Sequence, residues 1–155
     1  MSLISVQNLT RDYGRGRGVF DLSFSIEEGE VFGFLGPNGA GKTTTIRHLM
    51  GFLEPRQGKC SIKGYDCWQQ RAVIQSDLGY IPGEIAFLNG MKGSDFLAFI
   101  ARYREKNGLD RVDELVDRFE VDLSEPLKKM SKGSRQKVGI IAAFMHDPAV
   151  LILDE

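Results

Sequence analysis

Two cysteines, one tryptophan and no excess of either charge mark this 155-residue sequence by what it has little of. Cys60 and Cys67 are too few for a secreted disulfide framework and lack the spacing of a zinc site. No apolar run approaches the ~20 residues of a membrane span, so any membrane role must come through a partner. No signal-like segment opens the sequence, and a reducing cytoplasm is the expected compartment. Lys plus Arg number 20 against 21 Asp plus Glu, which gives no basic footprint for nucleic acid. Glycine, by contrast, is plentiful at 18, and 42% of the residues are hydrophobic, enough for the core of one ordinary domain.

Glycine is most informative between Glu30 and Gly51, EVFGFLGPNGAGKTTTIRHLMG. An apolar strand is predicted over 31–35, then a glycine-rich turn, then a helix from about Lys42 to Met50 closed by Gly51. Gly36, Gly41, Lys42 and Thr43 occupy the four fixed positions of a phosphate-cradling loop. Gly36, Gly39 and Gly41 lack a Cβ, so the backbone from Gly36 through Pro37, Asn38, Gly39 and Ala40 can turn successive N–H groups toward a polyphosphate. The following helix aims its positive end there. Lys42 brings a compact charge to the β- and γ-phosphates, Thr43 a hydroxyl for a bridging Mg²⁺, and Thr44 a second hydroxyl. The alternative is a turn that merely joins strand to helix.

Around this stretch the pattern alternates between strand and helix. Strands are expected over 3–9 and, by alternation of Phe20, Leu22, Phe24 and Ile26, over 20–26. Tyr13 to Gly18 reads as a flexible basic loop, and Glu27-Glu28-Gly29 as a turn. Further strands are expected over 58–66, 78–81 and 149–153. Between them, 84–129 reads as a mostly helical insertion. Ser94 caps a first helix with Phe96, Phe99, Ile100 and Tyr103 on one face. After a break at Asn107-Gly108, a second helix carries Val112, Leu115, Val116 and Phe119. Pro126 interrupts the insertion, and a third helix starts near Ser131 and stops before Pro148. His48 reads as a packing or surface residue, and His146 as a cation favoured at a helix end.

Taken together the segments resemble the ATP-binding cassette (ABC) ATPases over essentially the whole chain. Besides the phosphate loop, 130–137 (MSKGSRQK) is similar to the family's signature segment, and 151–155 (LILDE) to its metal and base strand. The resemblance implies an α/β fold class. Its parts are a P-loop NTPase core, an N-terminal antiparallel β part and a helical subdomain over roughly 84–130, all within one ATP-binding domain spanning 1–155. It implies ATP and Mg²⁺ as ligands. Asp154 would hold the metal through its water shell, Glu155 would act as base toward the attacking water, and Tyr13 would stack on adenine. Ser131 and Gly133 would reach the nucleotide of a second ATP-binding subunit in a head-to-tail dimer.

A transmembrane permease subunit is the implied partner, with the chain peripheral on the inner face of the cell membrane and no nucleic acid expected. The wording of 33–47 and 80–84 is most similar to exporters of drugs and antibiotics. Other members of the family act on ribosomes or nucleic acid, or bind nucleotide without hydrolysis, and these remain the alternatives. Three features depart from the pattern. Gly83 stands where a Gln is usual, so no metal role passes to it or to Glu84. Lys132 and Ser134 stand where Gly and Gln are common. Family members also continue past the base strand into a further strand and a switch histidine. The resemblance therefore implies a longer natural chain, and a gap of ~9 to 10 Å instead of ~4.8 Å where that strand would lie.

Overall fold

A computed structural model describes residues 2–87, 90–104 and 109–154, with side chains at 109 and 110 left aside. The predicted break at Asn107-Gly108 and the proposed base Glu155 lie outside the described residues. The chain divides into two compact units, Met1–Gln75 and Ser76–Glu155.

The first unit is built on an antiparallel sheet of order β2-β1-β3-β4, with β1 (Ile4–Asp12), β2 (Gly18–Ile26), β3 (Gln57–Ile62) and β4 (Tyr65–Asp66). Ile4 pairs with Ile62 and Val6 with Cys60, and these buried side chains make one face of the sheet. On β1 the register slips between Val6 and Leu9, where Asn8 takes a positive φ of 47°. Side chains satisfy the freed backbone donors: Asn8 N–H donates to Ser23 Oγ at 2.8 Å and Asp21 N–H to Thr10 Oγ1 at 2.9 Å. This irregularity corrects the expected alternation at the start of β2. Asp21 also has positive φ, so Val19 turns inward while Phe20 stays exposed.

Helix α1 (Lys42–Leu49) packs its buried Thr45, Ile46, His48 and Leu49 over β2 and β3. It stops as predicted, Gly51 taking φ 70° with its N–H on His48 O. The expected single strand over 58–66 is instead a tight hairpin. Lys63 and Gly64 both have positive φ, the pairing that turns β3 directly into β4. Tyr13 to Gly18 is likewise an ordered hairpin turn, closed by Tyr13 N–H on Arg17 O at 2.9 Å and Gly14 N–H on Asp12 Oδ1 at 2.6 Å.

One predicted strand does not form. Residues 31–35 adopt no regular structure, and Val31 and Leu35 are 98% and 92% exposed. A strand is held by ladder bonds to a neighbour, and no described strand pairs with this segment. Its rings still find apolar contact, because Phe32 stacks on Phe24 of β2 at 5.2 Å and Phe34 lies 5.6 Å from the same ring. A short helix, α2 (Arg71–Ser76), ends the unit.

In the second unit β5 (Leu78–Ile81) and β6 (Val150–Leu153) pair in parallel, and α5 (Lys132–Phe144) lies against β5. The approach is close: a Cβ on Gly79 would sit 2.5 Å from Ala143 O and 2.7 Å from Leu151. Helices α3 (Gly93–Tyr103) and α4 (Leu109–Phe119) close a core of Leu97, Val112, Leu115, Leu127, Val138 and Ile141. The face of α3 differs from expectation. Gly93, Leu97 and Ala101 are its buried residues, Phe96 and Ile100 flank them, and Phe99 and Tyr103 point to solvent. Ser94 is inside this helix rather than its cap, donating its N–H to Leu123 O, while Asp95 accepts the N–H of the cap residue Lys92.

His146 is buried, not a solvated cation. Its Nε2 lies 2.9 Å from the Arg104 guanidinium, which donates to it, and 3.3 Å from Leu78 O.

Candidate functional site

The phosphate loop runs from Gly36 to the first turn of α1, and every residue from Gly36 to Ala40 is exposed. Ala40 N–H donates to Pro37 O at 3.1 Å, which makes 37–40 a turn, and Gly39 takes φ 85°. Gly41 caps the helix at φ 88°, and its position is tight: an added Cβ would lie 2.5 Å from Gly18 O and 2.6 Å from Val19. Glycine is required there twice over, by conformation and by close packing on the start of β2. No acidic residue occupies the first turn of α1, so its positive end is uncompensated.

Lys42 folds back over the loop. Its Nζ donates to Gly36 O at 2.6 Å and Pro37 O at 3.2 Å, which holds the ammonium at the mouth of the turn. Thr43 is exposed and Thr44 half-buried, while Thr45 turns its hydroxyl back to Gly41 O at 3.0 Å. Behind them His48 is fully buried, donating from Nδ1 to Thr44 O at 2.7 Å, with Nε2 unpartnered among the described residues. Burial holds its pKa below the ordinary imidazole value against the raising effect of that bond, and the nearby Arg11 charge lowers it further.

Tyr13 opens the hairpin turn whose closing pair is Asp12 with Gly18. Since Gly18 is the residue on which Gly41 packs, the hairpin and the end of the phosphate loop meet at one point. Half of Tyr13 is exposed (49%), and the Arg11 guanidinium stands 5.4 Å over its ring. Sequence reasoning missed Arg11.

In the second unit, Ser131 is the N-cap of α5, its Oγ accepting from Ser134 N–H at 3.1 Å and lying 2.9 Å from Ser134 Oγ. Ser134, the departure from the usual signature, thus fixes the cap. Gly133 is exposed, with nothing nearer to an added Cβ than Ser131 Oγ at 3.9 Å. Asp154 N–H donates to Ile81 O at 2.9 Å, extending the β5–β6 ladder by one bond and setting the carboxylate beside the loop after β5. A cavity of ≈ 530 Å³ opens there, lined by Gly83, Glu84, Lys132, Arg135, Gln136 and Asp154 among others. Sequence reading did not bring this set together, because its members are separated by most of the unit.

Thr43 in the first unit carries a hydroxyl and Asp154 in the second a carboxylate, each by itself a hard oxygen donor of the kind Mg²⁺ takes. No group of three or more His, Cys, Asp or Glu that would cage a metal occurs among the described residues, and Mg²⁺ bridging phosphates does not need one.

An α/β core with a glycine loop capping a helix under a lysine defines a phosphate-binding protein of the P-loop class. Comparison with known proteins narrows the class. The profile of the ABC transporter family matches residues 19–155, and the chain belongs to that family. It is 40% identical to the uncharacterized ABC transporter ATP-binding protein YhcH of Bacillus subtilis (strain 168), covering 99% of this chain and 51% of that protein. To the bacitracin transport ATP-binding protein BcrA of Bacillus licheniformis it is 36% identical with the same coverage. Among solved structures, an ATP binding subunit of an ABC transporter superposes with a TM-score of 0.91 at 31% identity, over 99% of this chain and 66% of that one. The chain spans about half the length of the curated relatives it matches.

Proposed function

We propose that this chain is the ATP-binding and ATP-hydrolysing part of an ABC exporter. It would couple closure of two ATP-binding subunits to a transmembrane permease from the cytoplasmic face of the cell membrane. The observation that carries the reading is Lys42 held by Gly36 O and Pro37 O across an exposed turn in which Gly39 and Gly41 take positive φ. A triphosphate entering that turn would take Lys42 from the loop carbonyls onto its β- and γ-oxygens. Backbone N–H groups between Gly36 and Thr44, other than at Pro37, would bind the remaining oxygens, and Tyr13 would stack on the adenine.

Thr43 and Asp154 would hold Mg²⁺, whose charge neutralises the phosphate oxygens as the transferred group departs. Glu155 would accept the proton of the water as its oxygen forms the new bond to the γ-phosphorus and the bond to ADP breaks. Ser131 and Gly133, exposed at the N-terminus of α5, would contact the γ-phosphate held by the second subunit, and 84–130 would serve as the helical subdomain carrying them. Export rather than import is favoured because relatives named for bacitracin transport and for SkfA peptide export match nearly the whole chain.

Phosphate release by the complete protein with its membrane partner tests the reading. Glu155→Gln is expected to keep ATP binding and to lower turnover by roughly 10²-fold or more. Undiminished hydrolysis by that variant would refute the role of Glu155.

A further inference from the structure

Arg11 has no place in the phosphate loop, yet it joins three parts of the first unit. It pairs with Val19 of β2, the residue against which Gly41 packs. Its charge reaches His48 on α1. Its guanidinium covers the Tyr13 ring from 5.4 Å, while about half of Tyr13 remains open to solvent.

We propose that Arg11 is a positioning residue for the nucleotide base: its guanidinium holds the Tyr13 ring as a fixed platform onto which a purine stacks. The inference rests on the nucleotide site proposed above. Two features of the geometry support it. The backbone under the ring is fixed, Tyr13 N–H being bonded to Arg17 O and Arg17 N–H to Gly14 O at 3.2 Å, so ring rotation is the main freedom left. A cation against a π face restricts that rotation before the ligand arrives, so less order must be imposed on binding. Drawing ring electron density toward the guanidinium also favours a second π system on the open side.

The prediction concerns the base and not the phosphates, which makes it separable from simple charge attraction. Binding of ATP and of inorganic tripolyphosphate, each with Mg²⁺, is measured by calorimetry on the complete protein. Arg11→Met keeps the aliphatic stem and removes the charge. It is expected to weaken ATP by roughly 3- to 10-fold while changing tripolyphosphate by less than about twofold. Arg11→Lys is expected to recover part of the loss, and Arg11→Met is expected to have no further effect on ATP in a Tyr13→Ala background.

Equal weakening of both ligands, or additive losses in the double variant, would overturn the platform while leaving the nucleotide site intact. A wild-type protein that binds neither ligand would overturn both readings.

Discussion

Gly41 and Gly39 carry the same left-handed backbone with different surroundings, φ 88° and 85°, and so separate two requirements of the phosphate loop. A Cβ on Gly39 meets nothing within 4 Å, whereas one on Gly41 would meet Gly18 O at 2.5 Å. Gly39→Ala is therefore expected to lower stability by about 1–2 kcal/mol through backbone strain alone. Gly41→Ala is expected to lower it by about 1–3 kcal/mol more, through overpacking against β2. Urea midpoints of the two variants check this, and equal effects would show that the contact with Gly18 is slack.

His48 supplies a pH test at the same scale. Its folded pKa lies below the unfolded value of about 6.5, so the unfolded chain binds more protons through this group. Its contribution to stability is whole above pH ~6.5 and is lost as pH falls through the window below that value. His48→Asn keeps a donor for Thr44 O but does not titrate. The fall in urea midpoint from pH 7 to pH 5 should accordingly be smaller in the variant than in wild type. The sequence marked His48 only as a helix residue, because the depth of α1 in the unit depends on sheet packing that no local pattern encodes.

At the scale of elements, Cys60 on β3 and Cys67 just after β4 are both buried. Cys67 N–H donates to Cys60 O at 2.9 Å, and burial, with help from Asp66, pushes both thiols up to about 12. Neither thiol supplies appreciable thiolate at neutral pH, so alkylation by iodoacetamide is expected only on unfolding, not within hours in the folded protein. Rapid native labelling of either would place the hairpin in an opening equilibrium. On the other unit, Gly79→Ala must push β5 from α5, and a loss of about 1–3 kcal/mol is expected in the urea midpoint.

Elements whose identity is set by their own residues were legible in the sequence. Ser131 and Pro148 bracket α5, Gly51 ends α1, and β1, β2, β5 and β6 follow from apolar pattern. Elements set by a neighbour were not. The apolar run 31–35 has strand composition without a strand beside it, and the Asn8 and Asp21 irregularities exchange Phe20 for Val19 on the inner face. On α3 the aromatic spacing suggested a Phe and Tyr face, but the smaller Leu97 and Ala101 allow closer helix packing and take the core. The turn and helix start of the phosphate loop were legible because they are set by consecutive residues, Gly39 and Gly41 taking positive φ before α1. The cavity around Asp154 and the Arg11–Tyr13 contact were less so, since each depends on how distant or alternate residues are brought together.

For the whole molecule, membership of the ABC transporter family gives these local features a common purpose. No helix among the described residues is long and apolar enough to cross a membrane. In the proposed function ATP would tie two subunits together, and loss of the γ-phosphate would release them. Everything beyond the single chain depends on the loop at Gly36 to Thr44 accepting a triphosphate. Calorimetric titration of the complete protein with Mg²⁺ and ATP, beside Lys42→Ala, is the most direct measurement of that step. The account predicts a saturable heat for wild type and at least about a tenfold weaker affinity for the variant, as loss of a charge-assisted phosphate contact implies. No heat from the wild-type protein, or an affinity unchanged by Lys42→Ala, would contradict it.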